Sequence, residues 1–345
     1  MADPAVPDYL VTRDVAVTAQ LVVQPGVMVA FEDNARLDIN EQGSIVAKGT
    51  DEKRIVFTGK RKVRGSWKGI VIYSPNANNL LENVDIQYGG GYVTLNGLKA
   101  GLTLFGVGKS KVTINKTKIS ESGGYGIHAA AGAVLNGFST NNISNNTEAA
   151  IFMTADNLAR IDNQTVFSGN GKDVVELGPT IIEGNMETVW DTLQNNVPYR
   201  FNGDLTIKSP LRLKPGVIIE MGNDATIDID AAAYIKAEGT ALRPIVIRGA
   251  QPVAGHWRGL RSFSTSAANE LNYVHISDGG SKALTSTWKA NVAVTGQGSR
   301  MQIKNCTIAR SAGYGIFVSY NSAVNADAAT VNSFVANELG TLKHE

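Results

Sequence analysis

The chain has 345 residues, of which 43% are hydrophobic, and a formal net charge of +1 at pH 7. A charge this close to zero gives no general attraction to nucleic acid, so no specific nucleic-acid binding is expected. No apolar run approaches a length of about 18 residues, which excludes a transmembrane helix. The single cysteine, Cys306, excludes an intrachain disulfide, and its alternation with Ile308 predicts a buried core thiol.

One module occurs twice in this chain. A shift of 190 positions places Pro25 on Pro215, Gly49 on Gly239 and Trp67 on Trp257, and the register continues to a "GYGI" string in each copy. A match held over so many separated positions indicates an internal duplication. It predicts two tandem modules, residues 1–180 and 181–345.

Within the first module, short β segments alternate with small polar turns at a second period of 24 residues. The period relates four sets of positions: Ile119, Ile143 and Phe167; Ser120, Ser144 and Ser168; Ser122, Asn146 and Asn170; Ile127, Ile151 and Val175. A repeat of this length cannot bury an apolar face by itself, so each repeat must stack on its neighbours.

A stacking β repeat of this length is typical of a parallel β-helix coil. The fold prediction is therefore all-β, a right-handed parallel β-helix solenoid, with Ile127, Ile151 and Val175 buried above one another. The best helical candidate is "METVWDTLQNN", residues 186–196, at the junction of the modules.

The strings "LVVQPGVMVAF", "GSIVAKGTDEKRIVFTG" and "NLLENVDIQYGG" resemble the opening coils of secreted bacterial β-helix proteins of the pectate-lyase-like superfamily. The second copy repeats the pattern with "LRLKPGVIIEM" and "NELNYVHISDGG". The resemblance implies the fold and an exported or cell-surface protein. It does not select a function, because this fold hosts lyases, hydrolases, adhesins and inert spacers.

The chain opens with "MADPAVPDY", which is not a charged-then-apolar signal peptide. Given the resemblance, the expectation is a secreted or cell-surface protein whose export signal has been removed.

The acidic residues do not form the stacks that a lyase or hydrolase of this superfamily needs. Glu121 is followed at one-coil spacing by Asn145 and Gly169, and no Gly-His-Gly string is present. No catalytic residue, cofactor or metal site is therefore predicted. His128 and Tyr125 form the remaining alternative, as a base and an acid for β-elimination.

Both copies leave the regular coil at the same place, with "GYVTLNGLKA" in the first and "SKALTSTWKA" in the second. Insertions in solenoids often form the binding face. Aromatic and cationic side chains near and within these insertions suit stacking on a sugar and pairing with its acid groups. The predicted ligand-binding residues are Tyr88, Tyr92, Lys99, Trp288 and Lys289; the alternative is that the loops only pack over the coil.

A basic cluster occurs in the first copy alone, at Lys60, Arg61, Lys62, Arg64 and Lys68. It is predicted either to bind an anionic polymer or to be a solvated loop.

These observations predict a non-catalytic extracellular or cell-surface protein that binds a polysaccharide or cell-surface glycan, or serves in surface attachment. One alternative is a lyase or glycoside hydrolase acting on an acidic polysaccharide. The other is a structural spacer or self-assembling surface protein, which requires only the scaffold.

Overall fold

The computed structural model describes residues 6–94, 97–106, 110–285 and 287–345. The described chain is built almost entirely from short β-strands, with two 3-10 helices, at Ala155–Arg160 and Gln194–Asn196. It divides into two compact units, unit 1 (Met1–Glu176) and unit 2 (Leu177–Glu345). That the two copies are separate domains stays a prediction.

In unit 1 short strands form the sides of successive coils, and turns connect them. They are β1 (Tyr9–Val11), β2 (Val15–Val17), β3 (Gln20–Val23), β4 (Met28–Phe31), β5 (Arg36–Ile39), β6 (Ser44–Lys48), β7 (Ile55–Gly59), β8 (Gly69–Ile72), β9 (Leu80–Glu82), β10 (Val84–Gln87), β11 (Ala100–Leu104), β12 (Lys111–Asn115), β13 (Lys118–Ser120), β14 (Tyr125–Ala129), β15 (Val134–Ser139), β16 (Asn142–Ser144), β17 (Ala149–Met153), β18 (Val166–Ser168) and β19 (Lys172–Leu177), which ends at the boundary.

Unit 2 repeats this arrangement. Its strands are β20 (Thr180–Ile182), β21 (Thr188–Trp190), β22 (Tyr199–Phe201), β23 (Leu205–Ile207), β24 (Leu211–Leu213), β25 (Ile218–Met221), β26 (Thr226–Ile229), β27 (Ile235–Glu238), β28 (Ile245–Gly249), β29 (Gly259–Ser262), β30 (Glu270–Asn272), β31 (Val274–Ser277), β32 (Ala290–Val294), β33 (Arg300–Lys304), β34 (Thr307–Ala309), β35 (Tyr314–Val318), β36 (Ala323–Val324), β37 (Ser333–Val335) and β38 (Gly340–His344).

Strands three apart in the chain pair in parallel, except at the end of unit 1, where β16 lies beside β18 and β17 beside β19, so each unit contributes strands to three sheets. In unit 1 the orders are β1-β4-β7-β10-β13-β16-β18, β2-β5-β8-β11-β14-β17-β19 and β3-β6-β9-β12-β15. In unit 2 they are β20-β23-β26-β29-β32-β35-β38, β21-β24-β27-β30-β33-β36 and β22-β25-β28-β31-β34-β37. This topology confirms the predicted parallel β-helix solenoid.

The predicted ladders are confirmed at residue level. Ile119 pairs with Ile143, and Ile143 pairs with Phe167. Ile127 pairs with Ile151, and both are almost completely buried. Val175, equally buried, lies in β19 beside β17 of the same sheet.

A polar ladder closes one corner of the same coils. The backbone N–H of Ser122 donates to Asn146 Oδ1 (3.1 Å), and the Asn146 side-chain amide donates to Asn170 Oδ1 (2.8 Å). Each side chain thereby satisfies a neighbouring coil's buried polar group, as burial requires. The 24-residue step of these three positions is thus the spacing of one coil.

The predicted helix over residues 186–196 is wrong. Thr188–Trp190 forms β21, which pairs in parallel with β24, and only Gln194–Asn196 forms a single 3-10 turn. Trp190 is fully buried with its ring centroid 5.8 Å from that of Phe201. Pairing and burial against the next coil override the local helical preference.

Trp67 and Trp257 have the same role in the two copies. Both indoles are fully buried. Nε1 of Trp67 donates to the carbonyl of Gln87 (2.8 Å), and Nε1 of Trp257 donates to that of Ser277 (2.7 Å). Their burial leaves no indole face on which a sugar could stack, so they belong to the scaffold.

Candidate functional site

Each of the two insertions begins with an equivalent backbone hydrogen bond. Gly91 N donates to Trp67 O (2.8 Å), and Ser281 N donates to Trp257 O (3.0 Å). The loops then fold back on their own units: Leu98 packs on a buried cluster that contains Tyr125, and Trp288 on one that contains Phe317. Residues 95, 96 and 286 of these loops lie outside the described residues.

The Trp288 ring packs against other aromatic side chains of unit 2. Its ring centroid lies 6.0 Å from that of Phe317, in a stacked arrangement, and 5.9 Å from that of Tyr314, edge to face. Lys343 Nζ lies 5.6 Å from the Trp288 centroid. The neighbouring Lys289 accepts a hydrogen bond from Tyr314 N through its carbonyl (2.9 Å). Part of Trp288 remains exposed.

Residues of two separately predicted sites, the basic cluster and the ligand-binding set, lie next to each other in unit 1. Lys62 of the basic cluster lies over the ring of Tyr88, with Nζ 5.6 Å from the centroid. Lys68 lies over the ring of Tyr92, with Nζ 5.3 Å from the centroid. Tyr92 is 53% exposed. These four residues are called the tyrosine–lysine surface, and their distances fit cation–π contacts.

Glycine backbones bring the parts of this surface together. A Cβ on Gly91 would lie only 2.1 Å from the carbonyl oxygen of Gly65, and one on Gly123 would lie 2.9 Å from the Cα of Gly65. The three chain segments therefore touch without intervening side chains. Lys99, which is exposed, lies against Gly124 at the edge of the same corner.

The basic cluster is mostly neutralised by carboxylates. The N–O distances of its four ion pairs are 2.6 Å for Lys60–Glu32, 2.5 Å for Arg61–Asp33, 2.9 Å for Arg64–Glu121 and 3.0 Å for Lys68–Asp14. Such pairing reduces the attraction that the cluster exerts on a polyanion.

Lys62 differs from the other four cations. Its Nζ donates to Thr58 Oγ1 (2.8 Å) and to the carbonyl of Gly59 (3.3 Å). No carboxylate in the described part of the chain pairs with it. Partial desolvation lowers the pKa of its ammonium group. Lys62 is therefore the cation of this surface that no described carboxylate neutralises.

Unit 2 carries different chemistry on the corresponding backbone. Asp278 stands where unit 1 has Tyr88, and its buried carboxylate accepts a hydrogen bond from Arg310 Nε (2.7 Å). Lys282 stands where unit 1 has Tyr92, and it pairs with Asp224 (2.6 Å). The tyrosines are replaced and these charges are paired, so unit 2 serves as an internal comparison for the tyrosine–lysine surface.

The alternative acid and base, Tyr125 and His128, are both buried. Tyr125 donates through its hydroxyl to Glu176 Oε2 (2.7 Å), and Lys172 pairs with Oε1 of the same carboxylate (2.8 Å). His128 lies edge to face with Phe152, with ring centroids 5.6 Å apart, and its Nδ1 has no hydrogen-bond partner in the described chain. Burial raises the pKa of Tyr125, as does Glu176, and burial lowers that of His128.

The burial of His128 predicts an acid-dependent loss of stability. Desolvation lowers its pKa from 6.5 to about 4, whereas the unfolded chain binds the proton near pH 6.5. Between these values the unfolded state holds more protons, so the free energy of unfolding falls as the pH drops from 6.5 to 4, by about 3 kcal/mol in full. Urea unfolding at pH 7 and pH 4.5 is expected to show a smaller loss in His128→Gln than in the wild type.

The exposed His275 of unit 2 supplies the matched control for this experiment. His275→Gln is expected to keep the wild-type pH dependence. Identical pH dependence of His128→Gln and the wild type would contradict a buried neutral imidazole.

No group of three or more His, Cys, Asp or Glu side chains able to hold a metal ion occurs among the described residues. None of the helices that the structure describes is long and apolar enough to cross a membrane. Cys306 is buried in the core, and burial raises the pKa of its thiol to about 12.

The sequence matches no protein-family model and no curated protein, and no solved structure matches the chain. The chain is accordingly classified by its architecture, a parallel β-helix solenoid.

Proposed function

We propose that this chain is a non-catalytic glycan-binding protein of the cell surface or the extracellular medium, in the pectate-lyase-like superfamily of β-helix proteins. The observation that carries the proposal is the tyrosine–lysine surface, where two tyrosine rings each hold a lysine ammonium within 6 Å. Tyrosine offers an apolar face for the C–H face of a sugar and a hydroxyl for its oxygens.

The ligand that suits this surface is an acidic polysaccharide. A uronic-acid carboxylate can pair with Lys62, which lacks a carboxylate partner in the described chain, and a sugar ring can pack on Tyr92, which is 53% exposed. Lys99 adds an exposed cation at the edge of the same corner. Trp288 and Lys289 form a second proposed contact on unit 2, weaker because the Phe317 ring already stacks on that of Trp288.

The proposal predicts that tyrosine removal weakens binding of an oligogalacturonate. Isothermal titration calorimetry is expected to show a roughly tenfold loss for Tyr92→Ala and a similar loss for Tyr88→Ala, equivalent to about 1.4 kcal/mol each. Lys62→Gln is expected to weaken binding of the acidic ligand but not of its methyl-esterified form. The charge-dependent part of the affinity should decrease as salt is raised.

Tyr320, which is 75% exposed in unit 2, supplies the matched control. Tyr320→Ala is expected to bind like the wild type, and Trp288→Ala to lose less affinity than Tyr92→Ala. Wild-type affinity in the Tyr88→Ala, Tyr92→Ala double variant would refute this site. Unsaturated products that absorb in the ultraviolet after incubation would refute the non-catalytic part.

A location outside the cell is part of the same proposal and rests on the resemblance of the opening coils. Immunodetection of the protein on intact cells or in the culture medium is the expected result, and its confinement to the cytosolic fraction would contradict the proposal.

A further inference from the structure

A row of small neutral side chains crosses the outer face of one sheet in unit 1. Thr58 of β7 pairs with Gln87 of β10, which pairs with Ser120 of β13. The residue before each of these three has a buried apolar side chain in the core. Successive side chains of a strand point to opposite faces, so Thr58, Gln87 and Ser120 belong to the outer face. They form an uncharged strip across three coils, which is called the polar strip.

Lys62 stands at the β7 end of the polar strip. Its Nζ donates to Thr58 Oγ1 (2.8 Å) and lies 5.6 Å from the centroid of the Tyr88 ring. Tyr88 directly follows Gln87 in the chain. The tyrosine–lysine surface and the polar strip therefore adjoin each other.

Lys118 stands at the β13 end, on the same outer face and two residues before Ser120. It lines a surface cavity of about 570 Å³. Its neighbour on β10 is Asp85, whose carboxylate is bonded to Arg54 instead (2.7 Å). No carboxylate within the described ranges pairs with Lys118. Lys118 is thus a second cation of this face that no described carboxylate neutralises.

The polar strip separates the two lysines. Its ends, Thr58 and Ser120, are two strand spacings apart, which corresponds to about 10 Å. A ligand with one acid group cannot pair with both lysines at this separation. A ligand with acid groups repeated along its length can pair with both, and each contact then strengthens the other through effective concentration.

Unit 2 lacks this arrangement. Pro252 and Thr307 stand at the positions equivalent to the two lysines. The position of Thr58 is taken by Arg248, which pairs with Glu220 (2.7 Å). The corresponding row of unit 2 is therefore charged, and both lysines are replaced.

We propose that the polar strip extends the glycan site, so that an acidic polysaccharide crosses β7, β10 and β13 with its carboxylates on Lys62 and Lys118. This inference rests on the proposed function and adds the kind of ligand, a run of consecutive uronic acids. Each sugar of such a run carries a carboxylate, so the chain reaches both lysines, while its hydroxyls face the neutral side chains of Gln87 and Ser120.

Ligands of two lengths test the extended site. Isothermal titration calorimetry of Lys118→Gln is expected to show a roughly threefold to tenfold loss of affinity for hexagalacturonate, because one charge-assisted contact is removed. Digalacturonate is too short to reach Lys118 from Lys62, so it should bind this variant as it binds the wild type. Lys62→Gln is expected to weaken the binding of both ligands.

Lys111 supplies the matched control. It is a half-buried lysine on β12, in the neighbouring sheet of the same unit. Lys111→Gln is expected to bind both ligands like the wild type. The circular dichroism spectrum and melting temperature of each variant show that it is folded.

Two results would overturn the extended site and leave the tyrosine–lysine surface in place. The first is wild-type affinity of Lys118→Gln for hexagalacturonate. The second is an equal loss for the two ligands, because the contact would then not depend on length. Failure of the proposed function has a different signature, wild-type affinity in the Tyr88→Ala, Tyr92→Ala double variant or no binding of either ligand by the wild type, and it would overturn both proposals.

Discussion

Ile151→Asp is expected to abolish the cooperative unfolding transition of the protein. Ile151 is 1% exposed and pairs with Ile127, so the aspartate would be buried among aliphatic side chains with no partner. Burial of an unpaired polar or charged group is among the few mechanisms that cost more than about 4 kcal/mol. Circular dichroism during heating, with proteolysis at room temperature, measures the loss.

Ile151→Val provides the control for volume alone. Removal of one buried methylene should cost about 0.5–1.5 kcal/mol and leave a cooperative transition at a slightly lower temperature. An Ile151→Asp variant that melts within a few degrees of the wild type would contradict the inward ladder.

Trp67→Ala is expected to destabilise the protein by about 3–5 kcal/mol, the usual cost of removing a large buried aromatic side chain. The Trp67 ring stacks on Phe31 with centroids 4.1 Å apart, and its N–H bonds to the carbonyl of Gln87. Trp67→Phe should retain most of the packing and lose about 1–3 kcal/mol from the unmade hydrogen bond. Chemical denaturation gives both values.

Trp257→Ala should destabilise to a similar extent, because Trp257 is equally buried and makes the corresponding bond. Folded Trp67→Phe should bind glycan like the wild type. A loss of affinity without a loss of stability would contradict a purely structural role for Trp67.

The core ladders could be predicted because the core positions of successive coils recur at a fixed spacing in the sequence. Residues 24 apart along the chain, such as Ile119 and Ile143, become direct neighbours, so periodicity alone identifies the contact. The residues around 186–196 escaped this reasoning, because the pairing partner of β21 lies in the following coil and local pattern does not reveal it.

The tyrosine–lysine surface could be predicted only in parts. The sequence placed Tyr88 and Tyr92 in one candidate site and Lys62 and Lys68 in another. Their meeting depends on the close approach of Gly65 and Gly91, which no pattern in the sequence marks.

The bond from each buried indole to a main-chain oxygen has an evolutionary consequence. Because Gln87 and Ser277 accept through their carbonyls, this hydrogen bond does not depend on the side chain that follows. The following residues, Tyr88 and Asp278, share a left-handed backbone, with φ of 63° and 71°, yet carry unrelated groups. After duplication, the residue at this position could therefore change in one copy without loss of the tryptophan hydrogen bond. The two copies could in this way acquire different binding properties.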